Sequence, residues 1–159
     1  MRIKNVDDFI RFKDDVNSGN RYSGTTVFLD SDLSLAGKTF EPIGNSKSQY
    51  DYNYFCGTFD GQGHVISNLA MNSSSLYVGL FGRSTGLTIK NVILDSSCSI
   101  TSSFINTNYE DPGTGGIIGR FSESNEPCII ENSVNMGSVT FGGDGRYLYL
   151  GGIVGRYES

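Results

Sequence analysis

Apolar residues along the chain follow two different periods. Over residues 6–17, VDDFIRFKDDVN, they recur at helical spacing. Val6, Phe9, Ile10 and Val16 share one face, with Phe12 beside it. Asn5 supplies an N-cap, Asp7 and Asp8 suit the positive end of the helix dipole, and Gly19 ends the helix. From residue 25 onward the apolar runs become short, rich in Ile, Val, Leu and Phe, and bounded by Gly, Ser and Asn. These are strand signals.

The strands repeat. Residues 57–94 hold one pattern twice: the glycine-bracketed pairs GTFDG and GLFGR, then Ile66-x-Asn68-Leu69-x-Met71 and Ile89-x-Asn91-Val92-x-Leu94. GGIIGR (115–120) precedes Ile130-Glu131-Asn132, and GGIVGR spans 151–156. A unit that recurs at a fixed period predicts a solenoid whose units cannot bury their apolar faces alone. With strands this short, the solenoid is an all-β parallel β-helix. It is expected over residues 23–159, with residues 1–22 forming a short N-terminal capping α-helix over its first coil. The last repeat is expected to run on into further repeats of a longer parent chain.

The repeats also predict a register. Strict alternation would turn Ile66 and Asn68 to one face and Leu69 and Met71 to the other. A left-handed bend at Asn68, which asparagine tolerates, turns all four inward. Ile66, Ile89 and Ile130 are then expected in one inward column, beside an amide ladder of Asn68, Asn91 and Asn132. Ser67, Lys90 and Glu131 are expected to face outward. Glycines in the GLFG-type motifs are expected where the backbone turns tightly and a Cβ would clash.

Composition removes several functions. The net charge is −5 and only 18% of residues are charged, so no basic stripe for nucleic acid is expected. No apolar run is long enough to span a bilayer. Cys56, Cys98 and Cys128 are odd in number and widely spaced, which fits neither a zinc pattern nor a disulfide framework.

The repeated glycine motifs, GLFG at 79–82 followed by GGIIG and GGIVG, resemble the GLUG repeat of bacterial and protist surface proteins. The leader VDDFIRFKDDVNSGNRYSGTTVFLDSDLSL, then EPIG, then FCGTFDGQGHVISNL, is similar to the block that precedes such repeats. The resemblance implies a right-handed β-helix, an extracellular or cell-surface location, and a role in adhesion or as an accessory region. It implies no catalytic residues. Ser133 departs from the pattern, standing where the other repeats carry Leu69 and Val92.

Candidate chemistry is sparse. DGQGH (60–64) contains the only histidine, but Asp60 and the flanking glycines read as a turn, and His64 lacks metal or triad partners. An acid–base site would need Asp30, Asp32 and Asp60 to converge, and each has a turn or bend role available. No carboxylate recurs at one position, as a calcium ladder requires. Neither catalytic residues, nor a metal, nor a cofactor is therefore expected. Arg83, Arg120 and Arg156 follow successive glycine motifs and should form a column. It reads as exposed side chains partly paired with Glu123 or Glu158, and otherwise as an anion-binding stripe. Asn72-Ser73-Ser74 matches a glycosylation sequon.

The loops 45–55, 72–77, 102–114 and 141–149 carry seven of the nine tyrosines, and they are expected to emerge at one corner. Tyr52, Tyr54, Tyr109 and Tyr147 are the candidate ligand-binding residues, because tyrosine joins a flat apolar face to a polar tip. The expected function is a non-catalytic, adhesin-like module that binds a glycan or a surface protein. The alternatives are a carbohydrate-active β-helical enzyme and an architectural spacer.

Overall fold

The computed structural model describes residues 1–48, 50–105, 110–122, 127–144 and 147–158. The chain opens with β1 (Arg2–Ile3), α1 (Val6–Asn17), β2 (Thr26–Leu29) and β3 (Leu33–Ser34). Three fuller rounds follow. The first holds β4 (Thr58–Asp60), β5 (Val65–Ser67), β6 (Ala70–Ser73), β7 (Tyr77–Val78) and β8 (Phe81–Ser84). The next holds β9 (Thr88–Lys90), β10 (Ile93–Leu94), β11 (Ser99–Ser102), β12 (Gly113–Gly115) and β13 (Ile118–Ser122). The last holds β14 (Ile129–Glu131), β15 (Val134–Asn135), β16 (Ser138–Phe141), β17 (Tyr149–Gly151) and β18 (Val154–Glu158).

The fold is all-β with parallel sheets, and α1 is the single α-helix among the described residues. Each of these three rounds lays one strand in each of five sheets. Their orders are β1-β2-β4-β9-β14, β3-β5-β10-β15, β6-β11-β16, β7-β12-β17 and β8-β13-β18. Pairing within them is parallel throughout. The core is made of side-chain columns that cross the rounds. Val27, Phe59, Ile89 and Ile130 stand in register in the first sheet. Met71, Ile100 and Val139 do so in the third.

Helix α1 matches its predicted bounds. The Asn5 side chain accepts from the Asp8 N–H at 2.9 Å. Gly19 stands just past the helix end at φ 107°. Phe9, Phe12 and Val16 are fully buried. Phe12, expected beside the apolar face, is at its centre, edge-on to Phe55 and stacked on Phe59. Phe9 stacks on Phe40 at 5.2 Å. The helix thus covers the aromatic interior of the first rounds.

The left-handed bends lie where expected, at Asn68 (φ 55°), Asn91 (φ 56°) and Asn132 (φ 47°). Leu69 and Met71 are buried beyond the first of them. The register differs from expectation. Ile89 pairs with Phe59 and Ile130, whereas Ile66 pairs with Leu33 and Leu94. Ile-x-Asn therefore marks two different corners, one leaving the first sheet at 89–91 and one leaving the second at 66–68.

The amide ladder is a correction. Asn68 and Asn132 are exposed and Asn91 is half-buried. The Asn68 amide donates to Ser34 Oγ at 3.0 Å, and that of Asn91 to Asp60 Oδ1 at 2.9 Å. An amide turned inward would meet only apolar neighbours, so these asparagines bend the chain while their side chains stay outside. Lys90 and Glu131 do stand opposite one another, but their partner in the preceding round is Asp60, not Ser67.

GTFDG and GLFGR are likewise not equivalent, since Thr58 belongs to the first sheet and Phe81 to the fifth. In the GLFGR-type motifs the glycine before the arginine is required by close approach. A Cβ on Gly82, Gly119 or Gly155 would lie 2.5 Å from a backbone atom of a neighbouring segment.

Candidate functional site

The glycine motif places its following arginine on the fifth sheet. Arg120 pairs in register with Arg83 on one side and Arg156 on the other. These side chains are not the exposed set expected. Arg120 is 7% exposed and the other two are half-buried.

Each guanidinium lies over a tyrosine ring: Arg83 over Tyr52 at 3.5 Å, Arg120 over Tyr77 at 5.0 Å and Arg156 over Tyr149 at 5.0 Å. Rounds in a parallel sheet lie about 4.8 Å apart, where two unit charges repel by roughly 3 kcal/mol at an effective dielectric near 20. Ring faces and carboxylates offset this repulsion. Glu158 contacts both Arg120 and Arg156, and Arg156 also reaches Asp111 Oδ2 at 3.5 Å and the Asp111 carbonyl at 2.9 Å. Burial holds the Arg83 and Arg120 guanidiniums below the ordinary arginine range, although the tyrosines push the other way. Glu123, the other expected partner, lies outside the described residues.

Tyr52 and Tyr54 come from the loop 45–55. Their centroids are 6.0 Å apart, and Arg21 sits 4.2 Å over Tyr54. Tyr52 is 36% exposed and Tyr54 half-buried. The loop is anchored at its base. Asn17 Oδ1 accepts from the Gly44 and Asn45 N–H groups, and the Asn53 amide donates to the Asn17 carbonyl at 2.8 Å. Leu76 N–H donates to the Ser46 carbonyl, joining this loop to the loop 72–77. Asn17 and Arg21 carry no motif, so nothing in the sequence marked them as supports.

The four loops do not share one corner. Those at 72–77, 102–114 and 141–149 join strands of the third sheet to strands of the fourth. Loop 45–55 interrupts the edge of the fifth sheet, between the bridges Ile43–Phe81 and Phe55–Ser84. It follows its glycine motif EPIG, where the others precede theirs, and that order was readable in the sequence. The structure therefore brings Tyr52 and Tyr54 together beside the arginine column. Tyr147 is 57% exposed on a different loop, and Tyr109 lies outside the described residues.

The three aspartates act at corners. Asp60 Oδ1 accepts from Gln62 N–H and the Asn91 amide at 2.9 Å each, and Lys90 Nζ is 3.4 Å from Oδ2. Burial raises the Asp60 carboxyl, but these partners together outweigh it and hold the group below its usual value. Asp30 binds Arg2 at 2.6 Å and the Gln62 amide at 2.8 Å. Asp32 accepts from Val65 N–H, and His64 Nδ1 lies 3.0 Å from the same oxygen. The Val65 N–H, then His64, lower the Asp32 carboxyl. Among the described residues no group of three or more His, Cys, Asp or Glu is placed to hold a metal ion. Among the same residues no helix is long and apolar enough to cross a membrane.

No protein-family model matches the chain. Over 124 residues, 77% of its length, the chain is 33% identical to Halomucin from Haloquadratum walsbyi (strain DSM 16790 / HBSQ001), and it spans 1% of that protein. Among solved structures it is similar to a candidate immunoglobulin A1 protease from Bacteroides ovatus. The TM-score is 0.52 at 18% identity, over 98% of this chain and 52% of that one. At that identity the likeness is one of fold, and the chain corresponds to only part of each longer protein.

Proposed function

We propose that the chain is a run of coils of a right-handed parallel β-helix, and that it is a non-catalytic, adhesin-like module of an extracellular or cell-surface protein. It takes a glycan, or a glycan-bearing surface protein, at its tyrosine-bearing loops. The right hand follows from the strong preference of parallel crossovers for that sense. The surface location draws on the GLUG-like repeats and on a relative whose name marks it as a mucin. The non-catalytic reading draws on the aspartates: Asp30, Asp32 and Asp60 are each committed to a corner contact.

The observation that carries the binding role is the pair Tyr52 and Tyr54. Their rings are backed by Arg83 and Arg21, on a loop tied down by Asn17. Held aromatic faces lose little entropy when a sugar ring stacks on them. A glycan array probed with the full chain tests this. The double variant Tyr52→Ala/Tyr54→Ala removes the rings under Arg83 and Arg21, so it should melt below wild type yet stay folded at the assay temperature, and it should lose roughly tenfold or more in affinity for the glycans recognised. Undiminished binding would put the glycan elsewhere on the chain, and no binding by wild type would leave the spacer reading.

A further inference from the structure

The arginine column is built more deeply than a structural staple needs. We propose that it binds an anionic group carried on a glycan, a carboxylate or a sulfate ester, in the place that Glu158 now fills. This rests on the glycan reading of the neighbouring loop and names the class of glycan.

Three features converge. The guanidiniums of Arg83, Arg120 and Arg156 are aligned by strand register and backed by rings, so their orientation is set before any ligand arrives. Arg120 is 7% exposed and its Nε is buried without a hydrogen-bond partner, so the fold satisfies this guanidinium only in part. The third feature is Glu158, whose carboxylate bridges Arg120 and Arg156 and so displays the chemistry that the site accepts. Its side chain is 45% exposed, against 9% for Arg120 and 16% for Arg156. The carboxylate is the solvent-facing member of the group, and the arginines are the walls.

A sulfate or uronate presents oxygens matched to the guanidinium fork, as Glu158 does. Exchange is charge-neutral: Glu158 swings into water and regains its hydration while the incoming oxyanion takes its contacts. Tyr149, 41% exposed beside Arg156, and Tyr52, beside Arg83, then offer ring faces to the sugar that carries the anion. An acidic peptide has the charge but no ring to stack on these faces.

The test uses the full chain and titration calorimetry with four probes. They are a sulfated heparin disaccharide, a hyaluronan tetrasaccharide that carries only carboxylates, neutral N,N′-diacetylchitobiose, and a poly-glutamate peptide. The Arg120 Nε–H resonance is followed by NMR in parallel. Glu158→Gln should raise affinity for one or both acidic sugars by about tenfold, and Arg156→Gln should lower it by about tenfold. The Arg120 resonance should shift with the acidic sugars alone, and binding should weaken as salt rises. Because Arg120→Gln removes a buried group and can unfold the chain, Arg156→Gln carries the test. Its melting temperature is checked against wild type.

Neutral binding that is lost in Tyr52→Ala/Tyr54→Ala but indifferent to Glu158→Gln and Arg156→Gln would overturn this inference and leave the glycan reading standing. Preference for poly-glutamate would overturn the acidic-glycan class. Failure of every sugar to bind, with Glu158→Gln included, would remove both.

Discussion

The first and last rounds of residues 1–159 are made of the same kind of strand edge and differ in what covers them. At the first end, α1 and β1 lie over the opening round. Phe9, Phe12, Val16 and Ile3 are fully buried there. At the other end β14 to β18 are the outermost strands of their sheets, and their apolar residues are open: Val134 is 46% exposed, Met136 55% and Leu150 51%. The contrast is sharpest within one sheet. Ser99–Ser102 alternates half-buried and buried, while its register partner Ser138–Phe141 alternates exposed and half-buried. The pattern of alternation is the same and every position has moved outward by one class. A round of this fold does not bury its own apolar face. The neighbour above and the neighbour below do so, and within residues 1–159 the last round has one of them.

Removing the lid should therefore cost far more than trimming the open face. Phe12→Ala deletes a ring packed on Phe9, Tyr22, Phe55 and Phe59. It should lower stability by about 3–5 kcal/mol, with Leu150→Ala within about 1 kcal/mol of wild type. Urea unfolding of both variants measures the difference. Similar losses at the two sites would mean that the ends are energetically alike and that the comparison fails.

The corners sharpen the contrast at a smaller scale. Between inner rounds, Asp60 joins its own turn to Asn91 and Lys90 of the next round, whereas Asn132, which follows Lys90's partner Glu131, is exposed. The folded Asp60 carboxyl is held below its usual value. The stability it contributes is thus present above the unfolded carboxylate pKa and lost as pH falls through the lower folded value. Asp60→Asn should cost about 1–3 kcal/mol at neutral pH, and its stability should fall less steeply on acidification than that of wild type. Thermal melts across an acid titration check this. Parallel pH curves for the two proteins would show that the corner is held by backbone geometry alone.

What was legible beforehand follows the same division between local and cross-round information. Helix α1 announces itself through Asn5, its apolar face and Gly19, all within one stretch. The asparagine bends are local too, since the left-handed backbone suits Asn wherever it falls. Register is a relation between distant segments, and a three-residue signature cannot fix it when two corners share that signature. Ile66-x-Asn68 and Ile89-x-Asn91 look identical, yet Gly61 to His64 lengthen one corner of their round and shift the phase. The arginine column was readable because its motif recurs once per round. Its burial was not, because the rings over it come from other segments: Tyr77 and Tyr149 from one position of the fourth sheet, in register through Gly113, and Tyr52 from the loop 45–55.

The smallest effect on stability, and the most direct probe of the open end, comes from placing charge on it. Val134 pairs with Ile93 on one side only, and Leu150 pairs with Thr114 in the same way. Sheet edges with apolar side chains and unused N–H and C=O groups are templates for association, and lysine is the usual means of blunting them. In Val134→Lys/Leu150→Lys both stems can lie along the apolar surface while the ammonium groups reach water. Folding stability should then remain within about 0.5 kcal/mol of wild type. Self-association should change more. Sedimentation velocity over a concentration series should show wild type forming larger species as concentration rises and the double variant remaining monomeric. Equal behaviour would mean that the last round is not adhesive in spite of its exposure. A loss of stability beyond about 1 kcal/mol would mean that these side chains are held by more of the fold than their exposure implies.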